Sequence, residues 1–263
     1  MVTGKNVSIK CGGMNVYDFG AVRLHAYRTD DALTDEVFII EKQGKAVVLE
    51  LPCFKNNIDA LSEYIESNGL EVEAKIVAYH AAGASFLPDI PVYGTDSSVR
   101  YNAVGGGKGL VTNFSGIFGD SFDVGIPKVD RILTEGKNII AGIEFDIIPN
   151  NDAFEIMMPE MDAVYMHMLG HDCHSIVAGA GHADALSADI QGYLDRGVDM
   201  ILTSHYTPEG QKDAKEKIAY LEDLKTVASG CSGRDEFKAR VSEKYSGYSG
   251  GNYLDMTVGY FFN

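Results

Sequence analysis

The stretch KIVAYHAAGASFLPD, residues 75–89, joins an apolar run to a loop of small residues. The apolar run, Ile76 to Tyr79, is preceded by charged residues and followed by alanine and glycine. This pattern predicts a short buried strand over residues 74–79 that ends in a loop. His80 lies where the strand ends, so we expect its side chain to face a cleft.

The chain before this strand predicts a sheet followed by a helix. Residues 5–50 have the pattern of strands and turns, with a hairpin at Gln43 and Gly44 between two β-branched runs. Asn57 is expected to cap a helix over residues 57–68 that ends at Gly69. The apolar face of that helix carries Ile58, Leu61 and Ile65.

The second half of the chain alternates strand and helix patterns. Strands are predicted within residues 130–149, then at 162–167 and 198–203, and helices at 183–196 and 211–229. Residues 90–125 are rich in glycine and aromatic residues. The run AVGGGKGL, residues 103–110, has the wrong spacing for a phosphate-binding loop and instead predicts a flexible loop over the cleft. With no linker and no internal repeat, residues 1–263 are expected to form a single domain.

Composition excludes several classes of function. The net charge of −16 and the pI of about 4.7 argue against binding nucleic acid or an anionic membrane through a basic surface. No apolar run approaches the ~20 residues that span a bilayer, and the N-terminal residues lack the apolar core of a signal peptide. The four cysteines are widely spaced and are expected to be free thiols. These features predict a cytoplasmic protein.

The histidines recur in short motifs after predicted strands. Three of the seven fall in HMLGHDCH, residues 167–174, and another in SHYTP, residues 204–208. The segment PNNDAF, residues 149–154, precedes both. Together with the order hairpin, helix, strand, His80, these motifs resemble the metallo-β-lactamase superfamily, and most of all its alkylsulfatase-like branch.

The resemblance implies an α/β (α+β) fold, an αββα four-layer sandwich with its cleft where the two halves meet. It places His80, Asp152, His167 and His205 at metal-ligand positions. His171 and His174 fall four and seven residues after His167, as in that branch, and are candidate proton carriers. Three histidines and a carboxylate suit one Zn²⁺ or Fe²⁺.

The same resemblance implies the loss of other ligands. The family motif His-x-His-x-Asp-His begins at His80, but Ala82, Ala84 and Ser85 occupy its remaining ligand positions. We therefore expect at most one metal ion, or none. Two hypotheses remain: an atypical hydrolase that uses water on a small ester-type substrate, and a non-catalytic small-molecule-binding or regulatory protein.

Two other interpretations of single residues are weaker. Ser85 with His80 and Asp89 has the composition of a serine-nucleophile triad, but only the spacing supports it. Cys173 could be a ligand or a reactive thiol, although a small buried apolar residue is the commoner role.

Overall fold

The structure is a computed structural model that describes residues 2–80, 82–167 and 170–262. Met1, Ala81, Met168, Leu169 and Asn263 lie outside the described residues, so the loop after His80 and the HMLGH motif are each described only in part. Contacts within the chain define two compact units, Met1–His167 with Leu202–Pro208, and Met168–Ile201 with Glu209–Asn263. The single domain expected for residues 1–263 stays a prediction.

Among the described residues, eight strands form a first sheet in chain order. They are β1 (Lys5–Val7), β2 (Gly13–Asp18), β3 (Arg23–Arg28), β4 (Glu36–Lys42), β5 (Lys45–Leu49), β6 (Glu71–Ile76), β7 (Val92–Gly94) and β8 (Arg131–Ile132). Strands β1 to β5 pair antiparallel, and β5 to β8 pair parallel. The β4–β5 hairpin is confirmed, with Gln43 and Gly44 at φ angles of 54° and 83°. Positive φ at both positions is what a two-residue hairpin turn requires.

A second sheet has the strand order β14-β13-β12-β11-β10-β9. Its strands are β9 (Gly136–Ile140), β10 (Ile143–Pro149), β11 (Phe154–Met158), β12 (Ala163–Tyr165), β13 (Met200–Thr203) and β14 (Tyr206–Gly210). Within the first unit the two sheets contact each other, since Phe38 of β4 packs edge-on against Tyr165 of β12. The predicted mixed α/β fold with two sheets is confirmed.

The helices are α1 (Lys55–Ser67), α2 (Asp96–Val104), α3 (Gly106–Phe118), α4 (Ala180–Asp195), α5 (Gln211–Ser229), α6 (Arg234–Lys244) and α7 (Gly251–Phe261). Helix α1 buries its predicted apolar face against β2, β4 and β5, in a core that includes Met14, Ile39 and Val48. In the second unit α4 lies against α5, and α6 against α7. No helix in the described part of the chain is long and apolar enough to cross a membrane.

Helix boundaries show where local signals were misleading. Helix α1 begins two residues before the expected cap, because the Asn57 amide is buried and donates instead to Tyr27 Oη (2.9 Å) and to the Thr29 carbonyl oxygen (2.5 Å). Helix α4 begins at Ala180 rather than at residue 183, and α5 has the predicted bounds. Strand β6 covers residues 71–76 rather than 74–79.

The prediction of a flexible loop over residues 103–110 is wrong. These residues form the end of α2 and the start of α3, and α2 itself starts with a capping box in which Thr95 and Ser98 bond each other's backbone. Gly105 ends α2 and opens α3, so the glycine run is a tight junction between two helices. A side chain at Gly105 would place Cβ 2.9 Å from the Tyr101 carbonyl oxygen, so the close helix–helix turn requires glycine.

Candidate metal centre

Three loops at strand ends bring three histidines together in the first unit. His80 follows β6, His167 follows β12, and His205 lies between β13 and β14. One ring nitrogen from each histidine lies within 4.8 Å of the others. The ring centroids are 4.9 Å apart for His80 and His205, 5.3 Å for His167 and His205, and 5.7 Å for His80 and His167. The three histidines that sequence analysis placed at ligand positions therefore converge.

The fourth predicted ligand, Asp152, does not belong to this group of converging atoms. It is exposed on the turn between β10 and β11, where Asn150 Oδ1 accepts hydrogen bonds from the backbone N–H groups of Asp152 and Ala153. That local turn sets the position of Asp152, which the resemblance alone could not reveal. Metal binding by any of the four residues stays a prediction.

A carboxylate that sequence analysis missed lies against two of the histidines. Asp35, just before β4, has an exposed fraction of only 2%. Its Oδ1 is 3.1 Å from His205 Nδ1 and 4.0 Å from His80 Nδ1. Burial alone would raise the pKa of the Asp35 carboxyl, but the two histidines outweigh burial and hold that pKa below its ordinary value.

Glu50 holds the backbone that carries His80. It is fully buried at the end of β5, in a left-handed conformation with φ of 62°. Glu50 Oε1 accepts from the Tyr79 N–H (2.9 Å) and from the Tyr165 hydroxyl (2.6 Å), while Oε2 accepts from the His80 N–H (3.1 Å). The Ser204 hydroxyl lies 2.5 Å from the Tyr165 hydroxyl. One buried carboxylate thus links the loops that carry His80 and His205.

Aromatic rings crowd His167. Tyr79 stacks on its imidazole with ring centroids 4.4 Å apart, and the Tyr79 hydroxyl accepts a hydrogen bond from Asn150 Nδ2 (2.6 Å). His167 as a whole residue is exposed to solvent, and Tyr79 covers one face of its ring. Desolvation, with repulsion from His205 and His80, holds the pKa of His167 well below its ordinary value. The neutral ring is the form that binds a metal ion.

The remaining positions of the His-x-His-x-Asp-His motif carry no ligand atoms of metal-binding type. Ala82 is buried in an apolar cluster with Cys53, Phe54, Val111 and Phe122. The Ser85 N–H donates to Asp123 Oδ2 (2.8 Å), and the Ala84 N–H donates to the Gly125 carbonyl oxygen (3.0 Å). Backbone bonds and apolar packing therefore hold this loop in place.

The candidate proton carriers, His171 and His174, lie in the second unit. His171 Nδ1 is 2.8 Å from Oε1 of the buried Glu209, whose carboxylate raises the pKa of His171 against the lowering effect of burial. His171 also falls in a group of possible ligands with Asp213 and Glu216. Their role in proton transfer stays a prediction.

His174 is buried, and its Nδ1 is 2.9 Å from the Tyr220 hydroxyl. Burial, and then the charge of Lys217, lowers the pKa of His174. The ring borders a cavity of about 290 Å³ that Lys238, Tyr245 and Tyr248 also line.

The donor set of the first unit fits a single borderline cation. Histidine is the commonest metal ligand in proteins, and a set of three imidazoles suits Zn²⁺ and also Fe²⁺. Nδ1 of His80 and Nδ1 of His205 are buried and lack an aligned hydrogen-bond partner among the described residues, as does Asp35 Oδ1.

Of the two carboxylates that sequence analysis missed, Glu50 had a faint signal in the sequence. Glu50 is a lone carboxylate in the apolar run AVVLELP, residues 46–52, which is unusual for a buried strand end. Asp35 had no such signal, because TDE is ordinary for a turn before a strand.

No protein-family model matches the chain, and no curated protein matches it either. Solved structures do match. The stereoselective inverting sec-alkylsulfatase Pisa1 from Pseudomonas sp. superposes with a TM-score of 0.63 at 14% identity, covering 91% of this chain and 48% of that one. The chain thus spans about half the length of the alkylsulfatase.

Shorter proteins match over most of their length. A metallo-β-lactamase from Erythrobacter litoralis gives a TM-score of 0.57 at 12% identity, covering 83% of this chain and 100% of that one. A metallo-β-lactamase family protein from Thermus thermophilus gives a TM-score of 0.58 at 13% identity, covering 89% and 91%. The chain therefore has the metallo-β-lactamase fold, which it shares with an alkylsulfatase.

Proposed function

We propose that this chain is a hydrolase that acts on small ester-type substrates with a single metal ion bound by His80, His167 and His205. The observation that carries the proposal is the convergence of their ring nitrogens within 4.8 Å. The shared fold supports it, because the solved structures with this fold include an alkylsulfatase and metallo-β-lactamases. Ala82, Ala84 and Ser85 support the limit of one ion, since methyl groups cannot coordinate a cation.

The chain's own residues would prepare the site. When bound, Zn²⁺ or Fe²⁺ supplies a Lewis acid that polarises an ester and acidifies water. Glu50 fixes the His80 backbone through its N–H, and Tyr79 stacks on the His167 ring. A low pKa keeps His167 neutral at neutral pH, so its lone pair is free for coordination.

Further parts of the proposal concern residues outside this cluster. We keep His171 and His174 as proposed proton carriers, because each has a ring nitrogen held by a neighbouring group, Glu209 or Tyr220. We also propose that the ligand is a small molecule rather than a nucleic acid and that the protein is cytoplasmic. The net charge of −16 supports the first of these statements.

Metal content and hydrolysis test the proposal together. Protein purified without chelator or histidine tag should contain about one equivalent of zinc or iron by elemental analysis. It should cleave members of a panel of p-nitrophenyl carboxylate and sulfate esters, and lose this activity with chelator. His205→Ala should lose both the metal and the activity.

His182→Ala is the matched control, because it removes an exposed imidazole of α4. The Nδ1 of His182 accepts a local hydrogen bond from the N–H of Ala178. This variant should keep the metal and the activity. Two metal ions per chain would contradict the single-ion site. A metal-loaded protein without turnover on the panel would contradict the hydrolase and favour a binding or regulatory protein.

A further inference from the structure

Asp35 occupies a position that the sequence motifs did not single out. Its Oδ1 faces Nδ1 of both His205 (3.1 Å) and His80 (4.0 Å). All three atoms are buried, and none has an aligned hydrogen bond to another described residue. A single carboxylate oxygen therefore faces Nδ1 of two imidazoles.

The structure holds this carboxylate in place from both sides. The backbone N–H of Glu36 donates to the Ser204 carbonyl oxygen (2.7 Å), which ties the start of β4 to the residue preceding His205. The Cys53 thiol lies 3.5 Å from Asp35 Oδ2 and donates to it. Because Oδ2 has this partner, Oδ1 is left for the histidines.

A proton on Nδ1 has a direct consequence for the other ring nitrogen. In a neutral imidazole one nitrogen carries the proton and the other has a free lone pair. Histidines that bind metals almost always donate their second N–H to a carboxylate, a carbonyl or water, which fixes the tautomer and makes the ligand more basic.

We propose that Asp35 is a positioning residue that keeps the protons of His80 and His205 on Nδ1, so that both rings present Nε2 to the metal ion. This inference rests on the metal site proposed above. Asp35, the residue just before β4, would then support two metal ligands with one carboxylate. Asp152, the carboxylate expected from sequence, makes no such contact among the described residues.

The tautomers can be measured without any metal. In metal-free protein at pH 8, the ¹⁵N chemical shifts of His80 and His205 should report the Nδ1–H form in the unaltered chain. Asp35→Ala removes the acceptor, and both rings should shift towards Nε2–H, the ordinary preference of a free imidazole side chain. If Asp35→Ala does not fold, the same ¹⁵N shifts are measured in Asp35→Asn, which keeps the shape of the side chain.

Metal affinity provides the second measurement. Titration with Zn²⁺ followed by calorimetry should show that Asp35→Asn weakens binding roughly 10- to 100-fold, the usual effect of losing a carboxylate that supports a metal ligand. Glu36→Gln is the matched control. Glu36 is the next residue, equally buried, and its pKa is raised to about 8, so it is already largely protonated at pH 7. The Glu36→Gln variant should bind Zn²⁺ with the affinity of the unaltered chain.

The outcomes separate this inference from the proposed function. If the chain binds no metal but His80 and His205 show Nδ1–H tautomers that depend on Asp35, the hydrolase fails, while the control of both tautomers by Asp35 stands. If the chain binds Zn²⁺ and hydrolyses esters while Asp35→Asn binds Zn²⁺ as tightly, the positioning role fails and the hydrolase stands. Nε2–H tautomers in the unaltered metal-free protein would also overturn the inference.

Discussion

Glu36 is a carboxyl group buried in β4 next to Asp35. Its exposed fraction is 1%, and its Oε2 has no hydrogen-bond partner among the described residues. Burial raises its pKa from the ordinary 4.5 to about 8, since the charge of Arg28 offsets burial only in part and Asp35 adds repulsion. The folded protein therefore holds a proton that the unfolded chain releases near pH 4.5.

This difference predicts how stability depends on pH. A group whose pKa is higher in the folded state than in the unfolded chain stabilises the folded state fully below its unfolded pKa. For Glu36 this contribution is complete below pH 4.5 and is lost as the pH rises towards 8. Glu36→Gln removes the titration, so the variant should be more stable than the unaltered chain at pH 8, by on the order of a few kcal/mol. The two should converge at pH 4.

Urea denaturation at both pH values measures this. The unaltered chain and Glu36→Gln should differ in midpoint at pH 8, with similar slopes. Equal midpoints at pH 8 would show that the Glu36 carboxylate is solvated or paired in the folded state, contrary to its burial.

At the scale of elements, the junction of α2 and α3 supports the histidine cluster from outside. Gly105, Gly106 and Gly107 pack against Tyr101, so that a Cβ on any of them would come within about 3 Å of that residue. The Tyr101 ring lies edge-on to Tyr79 at 5.9 Å, and Tyr79 stacks on His167. The glycine run therefore permits a contact chain that ends at a candidate ligand.

Two glycine substitutions in this segment should have opposite effects. Gly105→Ala would place Cβ 2.9 Å from Cα and from the carbonyl oxygen of Tyr101, and backbone atoms cannot move aside cheaply. It should cost about 1–3 kcal/mol of unfolding free energy, as overpacking does. Gly109→Ala, inside α3 with no atom within 4 Å of its Cβ, should stabilise by up to about 1 kcal/mol.

Denaturation midpoints of the two variants, measured side by side, check this prediction. Each change adds one methyl group to the same segment, so Gly109→Ala controls for composition. A Gly105→Ala variant as stable as Gly109→Ala would mean that the junction is not tightly packed.

At the scale of the whole molecule, the chain passes repeatedly between its two compact units. It leaves the first unit after His167, returns for Leu202–Pro208, and leaves again. The strands β13 and β14 each contain residues of both units. Unfolding of either unit would therefore disrupt strands shared with the other.

This connectivity predicts one cooperative unfolding transition, as expected for a single domain. Scanning calorimetry of the full chain should give equal calorimetric and van't Hoff enthalpies, because the chain crosses from one unit to the other within β13 and within β14. Chelator should lower the midpoint of the same single transition if the metal binds only the folded state. Two resolved transitions would show that the units unfold independently.

Local signals predicted most of the elements. The Gln43–Gly44 hairpin, the bounds of α5 and the apolar face of α1 depend on turn chemistry and periodicity, which neighbouring residues determine. The same signals failed over residues 103–110, because Gly105, Gly106 and Gly107 are required by contact with Tyr101, and contacts at a helix junction leave no periodic pattern.

The sequence by itself predicted the two-sheet fold and three candidate metal ligands, because its motifs resemble those of the metallo-β-lactamase superfamily. Only the tertiary structure decided which carboxylate joins them. Asp152 is held outside the group by its own turn, whereas Asp35 is brought to His205 by the bond between Glu36 and Ser204. That bond joins residues far apart in the chain, and long-range pairing of this kind has no local signature in the sequence.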